Sequence, residues 1–304
     1  MGIVRAKVKS IGAAQSPLLG AAMFGPAVLY ILLLIGAPFA LAVFYAFSDV
    51  RIGGTAMHYV GLENFRSILQ SPSFHQALQN SIVFTVCAVV IVVIGSTMLS
   101  LALEQPFRGR GLLRFLILLP FVAPVSLGTI GWKWILDSIY SVITWALVRL
   151  HFFTPYNAPM WLGEPHLAMA SVICVHCWRL LPFATVVMLA GASAIPKEIP
   201  EAAGIDGAGY FRTLFWIKIP MMLPIILVAV LFSTIFTFTD MTVVYILTAG
   251  GPFDSTQTLP SLAFATGIQG SDLAAGAAIS LFLVPVLVAV AYFMLRVAHR
   301  AEVV

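Results

Sequence analysis

The sequence predicts an all-α membrane protein with six transmembrane helices. Of its 304 residues, 61% are hydrophobic and only 9% are charged, whereas an ordinary soluble domain has about 25% charged residues. So few ionic groups could not cover the surface of a soluble protein of this size. Six apolar runs are long enough to cross a bilayer. The Lys and Arg residues concentrate in alternate connections between these runs.

The charge and the cysteines exclude other classes of protein. The net charge of +4 is small and dispersed, so nucleic acid is not an expected partner. Cys87, Cys174 and Cys177 all lie in apolar runs and are interpreted as small hydrophobic core residues. The stretch 174–177 has metal-binding residue types, but no second group of ligands accompanies it. We therefore predict no metal site.

The first element is predicted to be an uncleaved transmembrane helix. Residues 1–17 form an N-terminal segment with Arg5, Lys7 and Lys9 and no acidic residue, which favours the cytoplasmic side. The apolar run Leu18–Phe47 is longer than the roughly 7–15-residue core of a cleavable signal. It is long enough for a tilted span.

Five further apolar runs and their connections complete the predicted topology. Residues 48–79 are polar and contain a helix-like stretch, Leu62–Leu69. The apolar stretch Tyr140–Leu150, within the external connection Asp137–His166, is too short to cross and is expected to be an interfacial helix. Thr248–Ser271 is expected to be an external loop. The predicted spans are Leu18–Phe47, Ile82–Leu103, Leu112–Leu136, Leu167–Ala190, Met221–Leu247 and Leu273–Leu295, followed by a tail at 298–304.

The polar Glu201 loop, residues 191–220, has the features of a docking element. Ala202 and Ala203 follow one carboxylate, and Asp206-Gly207 ends a short helical turn. Small side chains let another backbone approach, and Gly207 supplies the φ > 0 conformation that ends a helix. Tyr210–Ile219 is expected to be an amphipathic helix leading into the next span. The alternative, a helix lying on lipid, would carry more Lys and Arg on its polar face.

The Glu201 loop resembles a known signature. Glu201-Ala202-Ala203, the spacing to Gly207 and the later Ile219-Pro220 resemble the cytoplasmic loop of bacterial binding-protein-dependent ABC importer permeases. The resemblance implies a type I ABC importer permease fold with this loop as the cytoplasmic coupling helix, seated in a groove of the ATPase. Pro200 departs from the signature and predicts a kinked or later-starting helix. The implied ATPase-coupling residues are Glu201, Ala202, Ala203, Asp206 and Gly207.

The distribution of Lys and Arg orients the spans. Eleven of the sixteen basic residues fall on the side of the two termini, and five fall outside or within spans, so both termini are predicted to be cytoplasmic. Counting Ser141–His151 as a seventh span would put the Glu201 loop outside, and it is rejected for that reason. The eleven are Arg5, Lys7, Lys9, Arg108, Arg110, Arg114, Lys197, Arg212, Lys218, Arg296 and Arg300.

Two further segments resemble the carbohydrate-uptake branch of these permeases. Gly61-Leu62-Glu63-Asn64-Phe65 is similar to a segment common in that branch, and Gly250-Gly251-Pro252 with Thr256-Gln257-Thr258-Leu259 looks like its external loop. By itself Gly250-Gly251-Pro252 predicts only a tight turn. The resemblance implies a permease subunit of an ATP-driven importer for a sugar, oligosaccharide or sugar-like solute such as a phosphorylated polyol.

The resemblance also implies the assembly. Such permeases sit in the bacterial cytoplasmic (inner) membrane with a second homologous permease, two ABC ATPase subunits and an extracytoplasmic solute-binding protein. The six-span permease domain would cover residues 18–297 and contact membrane lipid. The chain has no GxxxxGK[ST] loop, so ATP and Mg are expected on the partner ATPase, with no cofactor and no enzymatic activity in this chain.

Polar residues inside the spans mark a candidate substrate pathway, because such groups usually face a bundle interior. At i, i+4 and i+7 of the fifth predicted span, Ser233, Thr237 and Asp240 would share one helix face. Alternatively, the hydroxyls bond back to their own helix with Asp240 at the outer interface, and Arg179 is a headgroup anchor. The candidates are Ser233, Thr237, Asp240, Tyr245, Trp178 and Arg179.

Two other classes of membrane protein are alternatives to an importer permease. An ion-coupled secondary transporter would use Asp240 or Arg179 for ion coupling and would need no ATPase. A membrane-embedded enzyme would need a nucleophile with a base, or a metal pair, on facing helices. The sequence contains no HExxH and no GxSxG motif, which argues against the enzyme.

Overall fold

The structure is a computed structural model that describes residues 17–54 and 57–302. The predicted cytoplasmic segment with Arg5, Lys7 and Lys9 lies outside the described residues, as does the end of the predicted tail. Within the described ranges the chain is helical, and its β structure is one isolated bridge between Ser48 and Tyr59. The predicted all-α fold is confirmed.

The helices are often interrupted within a span. In the described part of the chain, π-helical turns at Leu32–Gly36, Leu214–Lys218 and Ala265–Gln269 continue neighbouring α-helices. The α-helices cover Pro17–Ile31, Ala37–Ala46, Glu63–Gln70, Pro72–Glu104, Arg110–Val122, Val125–Ile135, Val142–Arg149, Pro165–Ser193, Glu198–Ile205, Tyr210–Thr213, Ile219–Phe238, Thr242–Thr248, Leu259–Phe264, Leu273–Leu281 and Leu283–Glu302.

Among the described residues, five helical stretches are long and apolar enough to cross a membrane, and the number is six when a bent pair of helices is counted as one span. This agrees with the six predicted spans. In chain order, spans 1 to 6 are Met23–Ala46, Pro72–Glu104, Arg110–Val122 with Val125–Ile135, Pro165–Ser193, Tyr210–Phe238 and Leu273–Val297.

Span 3 is not the single straight run that was expected for Leu112–Leu136. Its two helices meet at an angle of 97°. Pro124 explains the break, because a residue before proline is disfavoured in the α conformation, and Ala123 is extended with φ −63° and ψ 141°. Pro120 is accommodated inside the first helix.

The boundaries of span 2 and of the last external connection also differ from expectation. Span 2 begins at Pro72, inside the predicted loop 48–79, since proline is favoured at the first helical position. The predicted external loop Thr248–Ser271 contains the helix Leu259–Phe264, whose start is fixed by a capping box between Thr258 and Ser261. Both connections are therefore more ordered than their polarity indicates.

Spans 2 and 4 form the centre of the fold. In the most apolar window of span 4, 56% of the residues are buried, against none in span 1. Ala88 of span 2 lies in one buried cluster with Leu180 and Ala184 of span 4. At Gly95 a Cβ atom would lie 2.9 Å from Leu181 Cδ1, so small residues bring the two helices close. Polar residues on span 4 consequently face protein on several sides.

Candidate functional site

Five polar residues gather between spans 4 and 5 and form what we call the polar cluster. Span 4 contributes a histidine and an arginine, and span 5 and the residues just after it contribute two hydroxyls and a carboxylate. All but the arginine are buried, with 0–9% of their surface exposed. Buried polar groups at membrane depth are costly and usually mark function. The members are His176, Arg179, Ser233, Thr237 and Asp240.

Asp240 lies in a break between helices, not inside span 5 as predicted. The helix ends at Phe238, and the next one covers Thr242–Thr248. Asp240 Oδ1 accepts a hydrogen bond from the Val243 N–H at 2.9 Å, which satisfies a free donor of the new helix. Aspartate favours such capping over a helix interior, and this preference explains the break.

Arg179 and Asp240 form a shielded ion pair. The Arg179 Nη2 donates to Asp240 Oδ2, and the arginine side chain is only 19% exposed. Arg179 is therefore held by the ion pair formed with a residue just after span 5. Within the described ranges, its Nε and the Ser233 Oγ are buried without a hydrogen-bond partner, so the cluster contains two polar atoms whose hydrogen-bonding capacity is unused.

His176 connects the ion pair to the hydroxyls. Its Nε2 lies 2.9 Å from Thr237 Oγ1, and that hydroxyl donates its own hydrogen to the Ser233 carbonyl at 2.7 Å. The arrangement assigns the Nε2–H tautomer, which leaves Nδ1 as an acceptor 3.4 Å from Arg179 Nη2. The edge of the Phe84 ring also packs against the imidazole.

His176 was not among the predicted pathway residues. Its spacing of three residues from Arg179 was the available signal, because i and i+3 share a helix face. The alternative in which the hydroxyls bond back to their own helix does occur at Thr237, yet the same hydroxyl also accepts from His176. Thr237 therefore both bonds to its own helix and belongs to the polar cluster.

Trp178 and Tyr245 lie outside the polar cluster. The Trp178 indole packs against Gly128 and, edge to face, against Trp132 of span 3. Tyr245 lies in the helix after Asp240, where its hydroxyl accepts from Gln269 Nε2 at 2.8 Å. These aromatic residues therefore contact other parts of the chain.

An aromatic face lies beside the cluster. Phe183 of span 4 stands edge to face with Phe232 and Phe236 of span 5, and Phe121 of span 3 stacks on Phe183. The Phe232 and Phe236 rings are partly exposed. Hydrogen-bonding groups next to exposed ring faces suit a solute with hydroxyls on an apolar frame.

The second candidate site is the Glu201 helix, Glu198–Ile205. Pro200 falls in its first turn, so the helix starts earlier than the departure from the signature suggested. Gly207 has φ +80°. The Ala208 N–H donates to the Ala203 carbonyl at 2.9 Å, and the Gly207 N–H donates to the Gly204 carbonyl at 3.1 Å. These two bonds define a Schellman ending, as the sequence predicted for this bend.

The side chains of the Glu201 helix divide between two faces. Glu201, Ala202 and Asp206 are exposed, whereas Ala203 is buried. Ala203 therefore packs mainly against its own chain, and Ala202 offers the more accessible small side chain. The predicted loop 191–220 is also shorter, because span 4 ends at Ser193 and span 5 begins at Tyr210.

The described chain thus combines apolar helices long enough to cross a membrane with a buried polar cluster and an exposed helix that carries carboxylates. The chain belongs to the family described as "Binding-protein-dependent transport system inner membrane component", whose model matches residues 92–300. It is therefore a multi-pass permease subunit of an ABC importer. This membership favours ATP-driven import over the ion-coupled secondary transporter.

Individual proteins support the family assignment. The chain is 28% identical to the "Sulfoquinovosyl glycerol transport system permease protein SmoG" of Agrobacterium fabrum, over 94% of this chain and 92% of that protein. It is 32% identical to the "Trehalose/maltose transport system permease protein MalF" of Thermococcus litoralis, over 73% and 74%. A chain of a "bacterial ABC transporter involved in the import of the acidic polysaccharide alginate" has the same fold, with a TM-score of 0.81 at 18% identity over 95% of this chain and 97% of that one.

Proposed function

We propose that this chain forms half of the pathway by which an ATP-driven importer moves a sugar, oligosaccharide or sugar-like solute such as a phosphorylated polyol. The observation that carries this proposal is the polar cluster with unpartnered donors beside an aromatic face. Relatives named for sulfoquinovosyl glycerol, trehalose/maltose and sn-glycerol-3-phosphate transport support the same solute class.

In this proposal the cluster holds the solute transiently. Ser233 and Thr237 supply hydroxyls, and the Arg179–Asp240 pair supplies charged partners that are already neutralised by each other. A neutral pair does not trap a solute by net charge, which suits a site that must release its cargo. Trp178 and Tyr245 line the path on either side of the cluster.

The Glu201 helix is the proposed contact with the ATPase. Exposed Glu201 and Asp206 offer carboxylates, and Ala202 allows close seating. Ala203 packs against its own chain, and Gly207 sets the bend that ends the helix. The partner ATPase subunits bind ATP and Mg. ATPase closure would shift this helix and bias the spans toward the solute-binding protein, which couples two distant sites energetically.

The remaining proposals concern the assembly. A second homologous permease would supply the other half of the pathway, and an extracytoplasmic binding protein would deliver the solute. Both termini and the Glu201 helix would be cytoplasmic, with residues 18–297 as the permease domain and 298–304 as the tail.

The deciding experiment uses the complete complex in proteoliposomes with its binding protein. Candidate solutes are screened for stimulation of ATP hydrolysis and for uptake. We expect a sugar-like solute to stimulate both, with uptake that requires ATP and persists when ion gradients are collapsed. Uptake driven by an ion gradient without ATP would contradict the proposal. A control variant, Thr239→Val, changes an exposed back-bonded hydroxyl outside the cluster and is expected to transport normally.

A further inference from the structure

An ion pair joins the end of span 2 to the π-helical turn in the first part of span 5. Lys218 Nζ lies 2.8 Å from Glu104 Oε2 and 3.0 Å from Oε1. The two side chains are 15% and 27% exposed. Glu104 is the last residue of span 2, and Lys218 is the last residue of the π-helical turn that precedes Ile219. The ion pair thus connects positions 114 residues apart at the same end of two spans.

The ion pair and the Glu201 helix border the same cavity. Both side chains line this cavity of about 210 Å³ together with one residue of that helix and with residues of the segment that follows it. Its other lining residues include Pro200, Ala208, Tyr210, Thr213 and Leu214. The wall of this cavity therefore connects the Glu201 helix with the ion pair.

The π-helical turn sets the direction of Lys218. An α-helix advances about 100° per residue, so one extra residue in a turn rotates all that follows by about that angle. The turn Leu214–Lys218 contains such a residue between the Glu201 helix and Ile219. Without it, span 5 and Lys218 would be turned relative to Tyr210, and the contact with Glu104 would be lost.

The surroundings make this pair stronger than an ordinary surface ion pair. Exposed pairs contribute little, since water and salt screen both charges. Here Lys218 contacts both carboxylate oxygens, and Leu101 and Leu214 line the same cavity. Removing one partner leaves the other charge poorly solvated.

We propose that Lys218 and Glu104 are positioning residues for transport, which tie span 2 to the base of span 5 so that movement of the Glu201 helix carries both spans together. The inference rests on the proposed contact between the Glu201 helix and the ATPase. Without the ion pair, the Glu201 helix and span 5 would move without span 2. ATP would then be hydrolysed without a matching opening of the pathway.

The test measures solute imported per ATP hydrolysed by the complete complex in proteoliposomes with binding protein and its solute. The variants are Lys218→Met, Glu104→Gln, the charge-keeping Lys218→Arg, and the exchange of Glu104→Lys with Lys218→Glu. The matched control is Arg51→Met, which breaks an exposed ion pair with Asp272 at the opposite end of the spans. Co-purification of the ATPase reports assembly.

We expect Lys218→Met and Glu104→Gln to lower the ratio at least about fivefold, the lower end of typical coupling between sites. Lys218→Arg should keep the ratio, the exchange should restore most of it, and Arg51→Met should leave it unchanged. An unchanged ratio in both single variants, or an exchange that restores nothing, would overturn the inference. If a single variant does not assemble with the ATPase, the ratio of the exchange variant is the test. A restored ratio supports the inference, and a ratio that is not restored contradicts it.

A Glu201→Lys variant separates this inference from the proposed function. Normal transport by Glu201→Lys would contradict the proposed ATPase contact itself. Loss of transport in Glu201→Lys with a normal ratio in Lys218→Met would contradict only the role of the ion pair.

Discussion

Replacing Asp240 with Asn should destabilise the protein because it leaves Arg179, whose side chain is only 19% exposed, as an unpaired cation. Asp240 makes two separate interactions: Oδ2 accepts from Arg179, and Oδ1 accepts from the Val243 N–H. An asparagine oxygen can still accept the second bond. The substitution therefore removes the charge while keeping the helix start.

The size of the effect follows from these two interactions. Removing one partner of a buried ion pair costs about 3–5 kcal/mol, and losing a helix cap costs about 1 kcal/mol. Asp240→Asn should therefore lower the free energy of unfolding by about 3 kcal/mol or more, and Asp240→Ala by about 1 kcal/mol beyond that. Adding Arg179→Gln to Asp240→Asn removes the unpaired cation and should recover at least about 1 kcal/mol.

The assay is reversible unfolding of the purified subunit in mixed detergent micelles, followed by tryptophan fluorescence and circular dichroism. The control is Asp272→Asn, whose partner Arg51 is mostly exposed, and which should change stability little. If Asp240→Asn were as stable as the unchanged protein, or if the double variant recovered nothing, the buried ion pair would not stabilise the fold as argued.

Three further predictions concern packing, the helix ending and the hydroxyl face. Gly191→Val should lower the melting temperature, since the new Cβ would lie 2.3 Å from Ile225 Cγ2. Such overpacking costs about 1–3 kcal/mol. The control is Gly204→Ala, whose new Cβ would have nothing within 4 Å. Gly207→Val should impair ATPase co-purification, because φ +80° costs an L-residue about 1–2 kcal/mol; undiminished capture would contradict the proposed contact. Thr237→Val should slow solute-stimulated hydrolysis by removing the acceptor for His176, and an unchanged rate would remove Thr237 from the pathway.

The number of spans was predictable because apolar length alone decides it. Span 4 shows this: the predicted Leu167–Ala190 lies within the observed Pro165–Ser193. The Gly207 bend was also predictable, since a short helix followed by Asp-Gly has few alternatives to a left-handed glycine ending. Such features depend on local sequence.

The break at Asp240 and the partner of Arg179 were not predictable in the same way. Hydropathy continues through Asp240 into Leu247, so the apolar run gave no sign that the helix stops at Phe238. The stop depends on which side chains face Asp240 from span 4, and periodicity on one helix does not reveal its neighbour. For the same reason, neither segment alone indicates that Glu104 pairs with Lys218, which lies 114 residues away in the sequence.

The Glu201 helix is predicted to lie on the cytoplasmic side of the membrane. Its direct test is a Gly204→Cys variant in a background where Cys87, Cys174 and Cys177 are replaced by Ala, labelled with a membrane-impermeant thiol reagent. Phe253→Cys, at an exposed position of the opposite connection, is the comparison. We predict that position 204 reacts in inside-out vesicles and position 253 in intact cells. Labelling of position 204 from outside intact cells would contradict the account.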